Sequence, residues 1–122
     1  MEKIVNEILR EEVYYEKLDN GLDIYFMPKK GFTKKFAVLA TNYGSNELEF
    51  IPINGTEKIR VNEGIAHFLE HKMFEQPGGG NAFDKFSKLG ANANAYTNFT
   101  MTAYLFSCTD NFYENLEHLI DY

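Results

Sequence analysis

Two β-rich runs, Val13 to Leu18 and Leu22 to Met27, are separated by Asp19-Asn20-Gly21, where glycine supplies the positive φ of a tight turn. The pattern predicts a β-hairpin. A further apolar run, Phe36 to Tyr43, closes at Gly44-Ser45, and Leu48 to Ile53 and Thr56 to Val61 flank Asn54-Gly55, a second hairpin signal. The first half of the chain is therefore expected to form several antiparallel strands.

From Asn62 the period changes. Ile65, Ala66, Phe68, Leu69 and Met73 recur at helical spacing, with Asn62 placed to cap the start and Pro77 and Gly78-Gly79-Gly80 to end it. This predicts a helix of about three turns. Asn81 to Leu89 predicts a second helix, capped by Asn81 and ended by Gly90 in the left-handed conformation that glycine tolerates. Strand character returns over Ala91 to Tyr96 and Met101 to Cys108. Asp110 or Asn111 then caps a last helix running through Leu116, Leu119 and Ile120. The order predicts an α+β fold, an antiparallel sheet with helices packed on one face.

The length, 122 residues, encloses one modest core, so residues 1–122 are expected to be a single domain. The last helix meets Tyr122 with no glycine, proline or polar tail after it, as expected of a truncated, incomplete N-terminal domain. An aromatic content of 16% sets the chain apart from disordered linkers. A sheet cut before its partner strands leaves open edges and apolar surface, so self-association is expected.

Charge narrows the function. With 18 acidic against 12 basic residues, a net charge of −6 leaves little to displace counterions from a phosphate backbone, and no nucleic-acid partner is expected. Lys29, Lys30, Lys34 and Lys35 lie around Gly31 and read as a solvated loop. Cys108 stands alone, which rules out an intrachain disulfide and a cysteine-based zinc knuckle. The N-terminal MEKIVNEILREE lacks the apolar core of a secretory signal, and no run approaches the ~20 apolar residues of a membrane span. A cytoplasmic protein with no membrane partner is expected.

The chemistry gathers at H-x-x-E-H, formed by His67, Glu70 and His71 on the first predicted helix. At ~100° per residue the two histidines lie about 40° apart on one face, one turn along the axis, where two imidazoles can share a metal. Glu70 falls beside them. A hydrolytic zinc site keeps three protein ligands and one water, and a carboxylate near that water can take its proton. The motif is already associated with the inverzincins and inverts the better-known H-E-x-x-H. Random placement of three histidines among the glutamates of this chain would produce it roughly once in a hundred sequences.

The segment GIAHFLEHKMFEQPGGGNAFDKFSKLGANANAYTNFTMTAYLF resembles the N-terminal catalytic region of the pitrilysin-type zinc peptidases, the superfamily of insulysin and mitochondrial processing peptidase (M16). Within it the similarity is greatest to the bacterial YmfH-like branch. The resemblance extends from the first hairpin to Tyr122 and is strongest between Gly64 and Phe106. It implies part of a mitochondrial-processing-peptidase-like domain, with Zn2+ as cofactor, His67 and His71 as its ligands and Glu70 as general base. It also implies that the strand Asn94-Ala95-Tyr96-Thr97 pairs with the substrate backbone. An edge strand with free N–H and C=O groups can hold a peptide without reading its sequence.

The same resemblance implies a third zinc ligand, a glutamate roughly seventy to eighty residues after the second histidine and so beyond Tyr122. It further implies a second homologous half that completes the site with an arginine and a tyrosine. The chain is thus expected to be the metal-binding region of a zinc metalloendopeptidase, inactive by itself. Its expected partners are a peptide substrate and the remainder of the parent peptidase. The alternative is a non-catalytic structural or regulatory module that keeps the fold. An intact H-x-x-E-H favours the enzyme, since such a module has no physical need of Glu70.

Other residues read more plainly. His118 lies with Glu114, Glu117 and Asp121 on an acidic face and is expected to be an exposed, ordinary histidine. Glu63 and Glu75 read as solvated charges, and Cys108, without a basic neighbour, as a small core residue. Gly78-Gly79-Gly80 lacks the Lys-Ser/Thr of a phosphate loop and reads as a turn.

Overall fold

The computed structural model describes residues 1–121. The chain divides into two compact units, Met1–Phe32 and the residues from Thr33 onward. In the first, β1 (Glu2–Asn6), β2 (Glu11–Lys17) and β3 (Asp23–Phe26) form an antiparallel meander in the order β1-β2-β3. The expected hairpin is β2-β3, closed where Gly21 N–H donates to the Leu18 carbonyl at 2.9 Å. Tyr15 pairs with Tyr25 and Tyr14 with Phe26, ring centroids 5.0 and 6.3 Å apart, one pair on each face.

Strand β1 was not legible in the pattern. All five of its residues are exposed, so no buried face imposes a period of two on them. Its partner is the free edge of β2, with Lys3 and Glu12 joined across the pair at 2.7 Å.

The second unit holds β4 (Lys35–Thr41), β5 (Glu49–Phe50), β6 (Ile59–Arg60), α1 (Ile65–Met73), α2 (Ala82–Lys88), β7 (Asn92–Thr97), β8 (Thr102–Cys108) and α3 (Phe112–Asp121). Strands β4, β8 and β7 make an antiparallel sheet with β8 in the centre, and β5 pairs with β6 alone. The architecture is α+β, with antiparallel pairing divided among three sheets. The hairpin expected over residues 48–61 shrinks to two residue pairs, Glu49 with Arg60 and Phe50 with Ile59, well away from Asn54-Gly55. Ile51 and Ile53 are exposed, so nothing buried extends the ladder towards the turn. The lysine-rich segment is irregular and exposed up to Lys34, and Lys35 opens β4.

Register decides what the main sheet buries. Ala37 and Ala93 both oppose Phe106, Leu39 and Ala95 oppose Tyr104, and Thr97 and Thr41 oppose Thr102, so these residues share one face. The three helices pack there: Phe86 of α2 meets Phe106 at 5.7 Å between centroids, and Leu119 of α3 joins Phe86, Phe106 and Cys108 in the core. Phe74, just after α1, lies 5.8 Å from Tyr104. Small residues on the edge strands leave room for these rings. Cys108 is the core residue expected, and burial pushes its thiol up from the ordinary range, partly offset by the charge of Lys35.

The helix ends meet the expectation only in part. Asn81 caps α2, its Oδ1 accepting from Phe83 N–H at 2.9 Å, and Gly90 follows that helix with φ +77°. Asn111, with φ 53°, precedes α3, and its side chain donates to the Leu89 carbonyl at 3.1 Å. For α1, however, Gly64 with φ 83° takes the N-cap position in place of Asn62, and no side chain caps the helix. Asn62 contributes only its carbonyl, 3.3 Å from Ile65 N–H. A left-handed turn into the helix suits glycine.

Candidate metal centre

Helix α1 buries Ala66 and Glu70, and Phe74 continues that line one turn later. Of the residues at helical spacing only Ala66 is buried, since Phe68, Leu69 and Met73 are 59, 46 and 38% exposed. The small Ala66 lets the helix approach the sheet, and Glu70 finds a polar partner there. Thr97 Oγ1 donates to Glu70 Oε2 at 2.5 Å. A buried carboxylate is tolerable when hydrogen-bonded in this way. Glu70 in turn bears on Tyr104, whose phenol is pushed up mainly by burial and secondarily by the Glu70 charge.

His67 and His71 stand on the exposed side of the same helix, one turn apart. Their rings meet at 61° with centroids 4.8 Å apart, and their Nε2 atoms are 3.1 Å from each other. Ligand atoms of His67, Glu70 and His71 all lie within 4.8 Å of one another. Two nitrogens bound tetrahedrally to one zinc, each at about 2.05 Å, would stand about 3.3 Å apart. The observed spacing fits a shared ion with little adjustment. Two imidazoles are donors suited to zinc, and the Glu70 carboxylate lies beside them.

The expected substrate strand is β7, on the edge of the main sheet, with no further strand beside it among the described residues. Asn94 and Tyr96 are exposed, whereas Ala95 and Thr97 turn towards the helices. The Ala95 N–H is met by Asn94 Oδ1 at 2.9 Å. Thr97 thus points its side chain to Glu70, away from the open edge. Sequence reasoning missed Thr102, which opposes Thr97 and donates to the Tyr43 carbonyl at 2.7 Å. The alternation of β7 and β8 was the signal that could have found this pair.

His118 is not the exposed histidine expected. It is 5% exposed, its Nε2 is 2.9 Å from the Ala82 carbonyl, and its ring lies 4.6 Å from that of Phe86. Packing of α3 against α2 turns it inward. Glu63 and Glu75 are exposed, the latter paired with Lys72. Gly78 to Gly80 form the turn between α1 and α2, where Gln76 N–H donates to the Gly80 carbonyl at 3.2 Å.

The family model described as insulinase (peptidase family M16) matches residues 57–122, more than half of the chain. The chain belongs to the insulinase family. It is 56% identical over 116 residues to the protein of Bacillus subtilis (strain 168) described as the uncharacterized zinc protease YmfH, a match covering 95% of this chain and 27% of that relative. The crystal structure of an M16-like peptidase from Alicyclobacillus acidocaldarius superposes with a TM-score of 0.83 at 39% identity, covering 97% of this chain and 27% of that one. This insulinase-family chain therefore spans about a quarter of the length of both. No helix among its described residues is long and apolar enough to cross a membrane.

Proposed function

We propose that the chain is the metal-binding region of a longer zinc metalloendopeptidase that cleaves extended peptides, and that it is inactive alone. The observation that carries this reading is the convergence of His67, Glu70 and His71, all within 4.8 Å, on one helix of an insulinase-family fold. The description of the Bacillus subtilis relative as a zinc protease supports the choice of metal. When bound at His67 and His71, zinc supplies a water of lowered pKa and a charge to polarise the scissile carbonyl.

The residues of the chain do the rest. His67 and His71 present their Nε2 atoms from successive turns and would hold the ion between them. Glu70 would take a proton from the attacking water and later pass it to the leaving amine. The open edge of β7, over Asn94 to Thr97, pairs with the peptide backbone and lays the scissile bond beside α1. Such pairing needs no particular side chain, so the specificity rests on shape and extension. The third ligand and the groups that would polarise the carbonyl from the other side belong to the remainder of the longer protein.

Glu70→Gln in that longer protein tests the reading. Zinc content should be unchanged while kcat falls by about a hundredfold or more. Unchanged turnover would reject Glu70 as the base. A wild-type protein that binds zinc and extended peptides without cleaving them would favour the non-catalytic module.

A further inference from the structure

We infer that Thr97 is the positioning residue for Glu70, its hydroxyl holding the carboxylate in one orientation against the two histidines. The inference rests on Glu70 being the general base. A glutamate side chain turns about three bonds, and a base that wanders loses effective molarity. Glu70 is 7% exposed and one of its oxygens, Oε2, is held by Thr97 Oγ1 at 2.5 Å.

The direction of that bond follows from counting protons. A threonine hydroxyl has one hydrogen to give. Thr102 Oγ1 gives its hydrogen to the Tyr43 carbonyl at 2.7 Å, and lies 3.3 Å from Thr97 Oγ1. The hydrogen of Thr97 goes to the nearer and stronger acceptor, the carboxylate. Thr102 thus does not compete for Glu70.

The support is stiff. Thr97 and Thr102 are the last opposed pair before the turn joining β7 to β8. Asn98 Oδ1 closes that turn by accepting from Thr100 N–H at 2.9 Å and Met101 N–H at 2.8 Å. Threonine is β-branched and has few χ1 choices in a strand. The strand proposed to pair with substrate therefore also sets the base, so seating the peptide and aiming Glu70 depend on the same six residues.

The test compares Thr97→Val, which keeps the shape and removes the hydroxyl, with Thr97→Ser, which keeps the hydroxyl, in the longer protein beside Glu70→Gln. For Thr97→Val we expect kcat to fall by about ten- to a hundredfold. KM should stay within about twofold and zinc content unchanged. Thr97→Ser should recover at least about a third of the lost kcat. Thr97→Ala against Thr97→Ser, differing by one hydroxyl, makes the same comparison if the valine variant does not fold. Equal kcat in the valine and wild-type proteins, or equal loss in the valine and serine variants, overturns the inference. So does a rise in KM at constant kcat, which would assign Thr97 to peptide binding. These results stand apart from failure of the general-base reading, which shows in Glu70→Gln alone.

Discussion

The Nε2 atoms of His67 and His71 stand 3.1 Å apart on successive turns of α1, both on its exposed side. Two imidazoles held at that spacing are partly organised for an ion before any ion arrives. They are nevertheless only two ligands, and affinity grows with ligand number as well as preorganisation. Zinc titrated into this chain should therefore bind one-to-one with a Kd on the order of 10 μM or weaker. His71→Ala should abolish the calorimetric signal, and no peptide should be cleaved. A nanomolar complex in a monomer would mean an additional protein ligand, with Glu63 and Glu75 the first to replace.

Gly44 is expected to be intolerant of any side chain. A Cβ there would lie 2.6 Å from Asn98 O, Met101 N and Phe99 C, all backbone atoms that cannot swing aside. The same loop is tied to the β7-β8 turn by Ser45 N–H to Asn98 O at 2.9 Å and Asn46 N–H to Phe99 O at 3.0 Å. Gly44→Ala should cost about 2 kcal/mol in urea unfolding. Because that turn positions Thr97, the variant should also impair the longer protein's turnover. Wild-type stability in Gly44→Ala would show that the loop can move off the turn.

Self-association should be measurable in the isolated chain. On the sheet face opposite the helices, Phe36, Val38 and Tyr96 are 61, 47 and 44% exposed. Apolar side chains gathered on one sheet face, together with an open edge at β7, favour contact between copies. Light scattering should show a mass that rises with concentration, and Phe36→Glu should lower it. A monodisperse monomer at high concentration would count against this.

Much of the local structure was legible because it depends on neighbours in the chain. The helical period from Ile65 and the spacing of His67 and His71 follow from residues three or four apart. The cap at Asn81 and the stop at Gly90 are equally local, and each is found where the pattern placed it. The sequence by itself determined that two imidazoles and a carboxylate share one helix, and that several strands and three helices make an α+β chain.

Only tertiary structure decided which side of each element is covered. The helical spacing named Ala66, Phe68 and Leu69 alike, yet the sheet receives Ala66 and Glu70, because close approach and a hydrogen bond from Thr97 are available there. His118 looked solvated from its acidic neighbours, but the Ala82 carbonyl and the Phe86 ring 36 and 32 residues earlier supply its surroundings. Strand β1 exists because β2 offers it an edge, and Thr97 points to Glu70 because the register with Thr102 turns it inward. A chain specifies angles and spacings through bonds to its neighbours, whereas burial and partnership depend on surfaces brought together from distant positions.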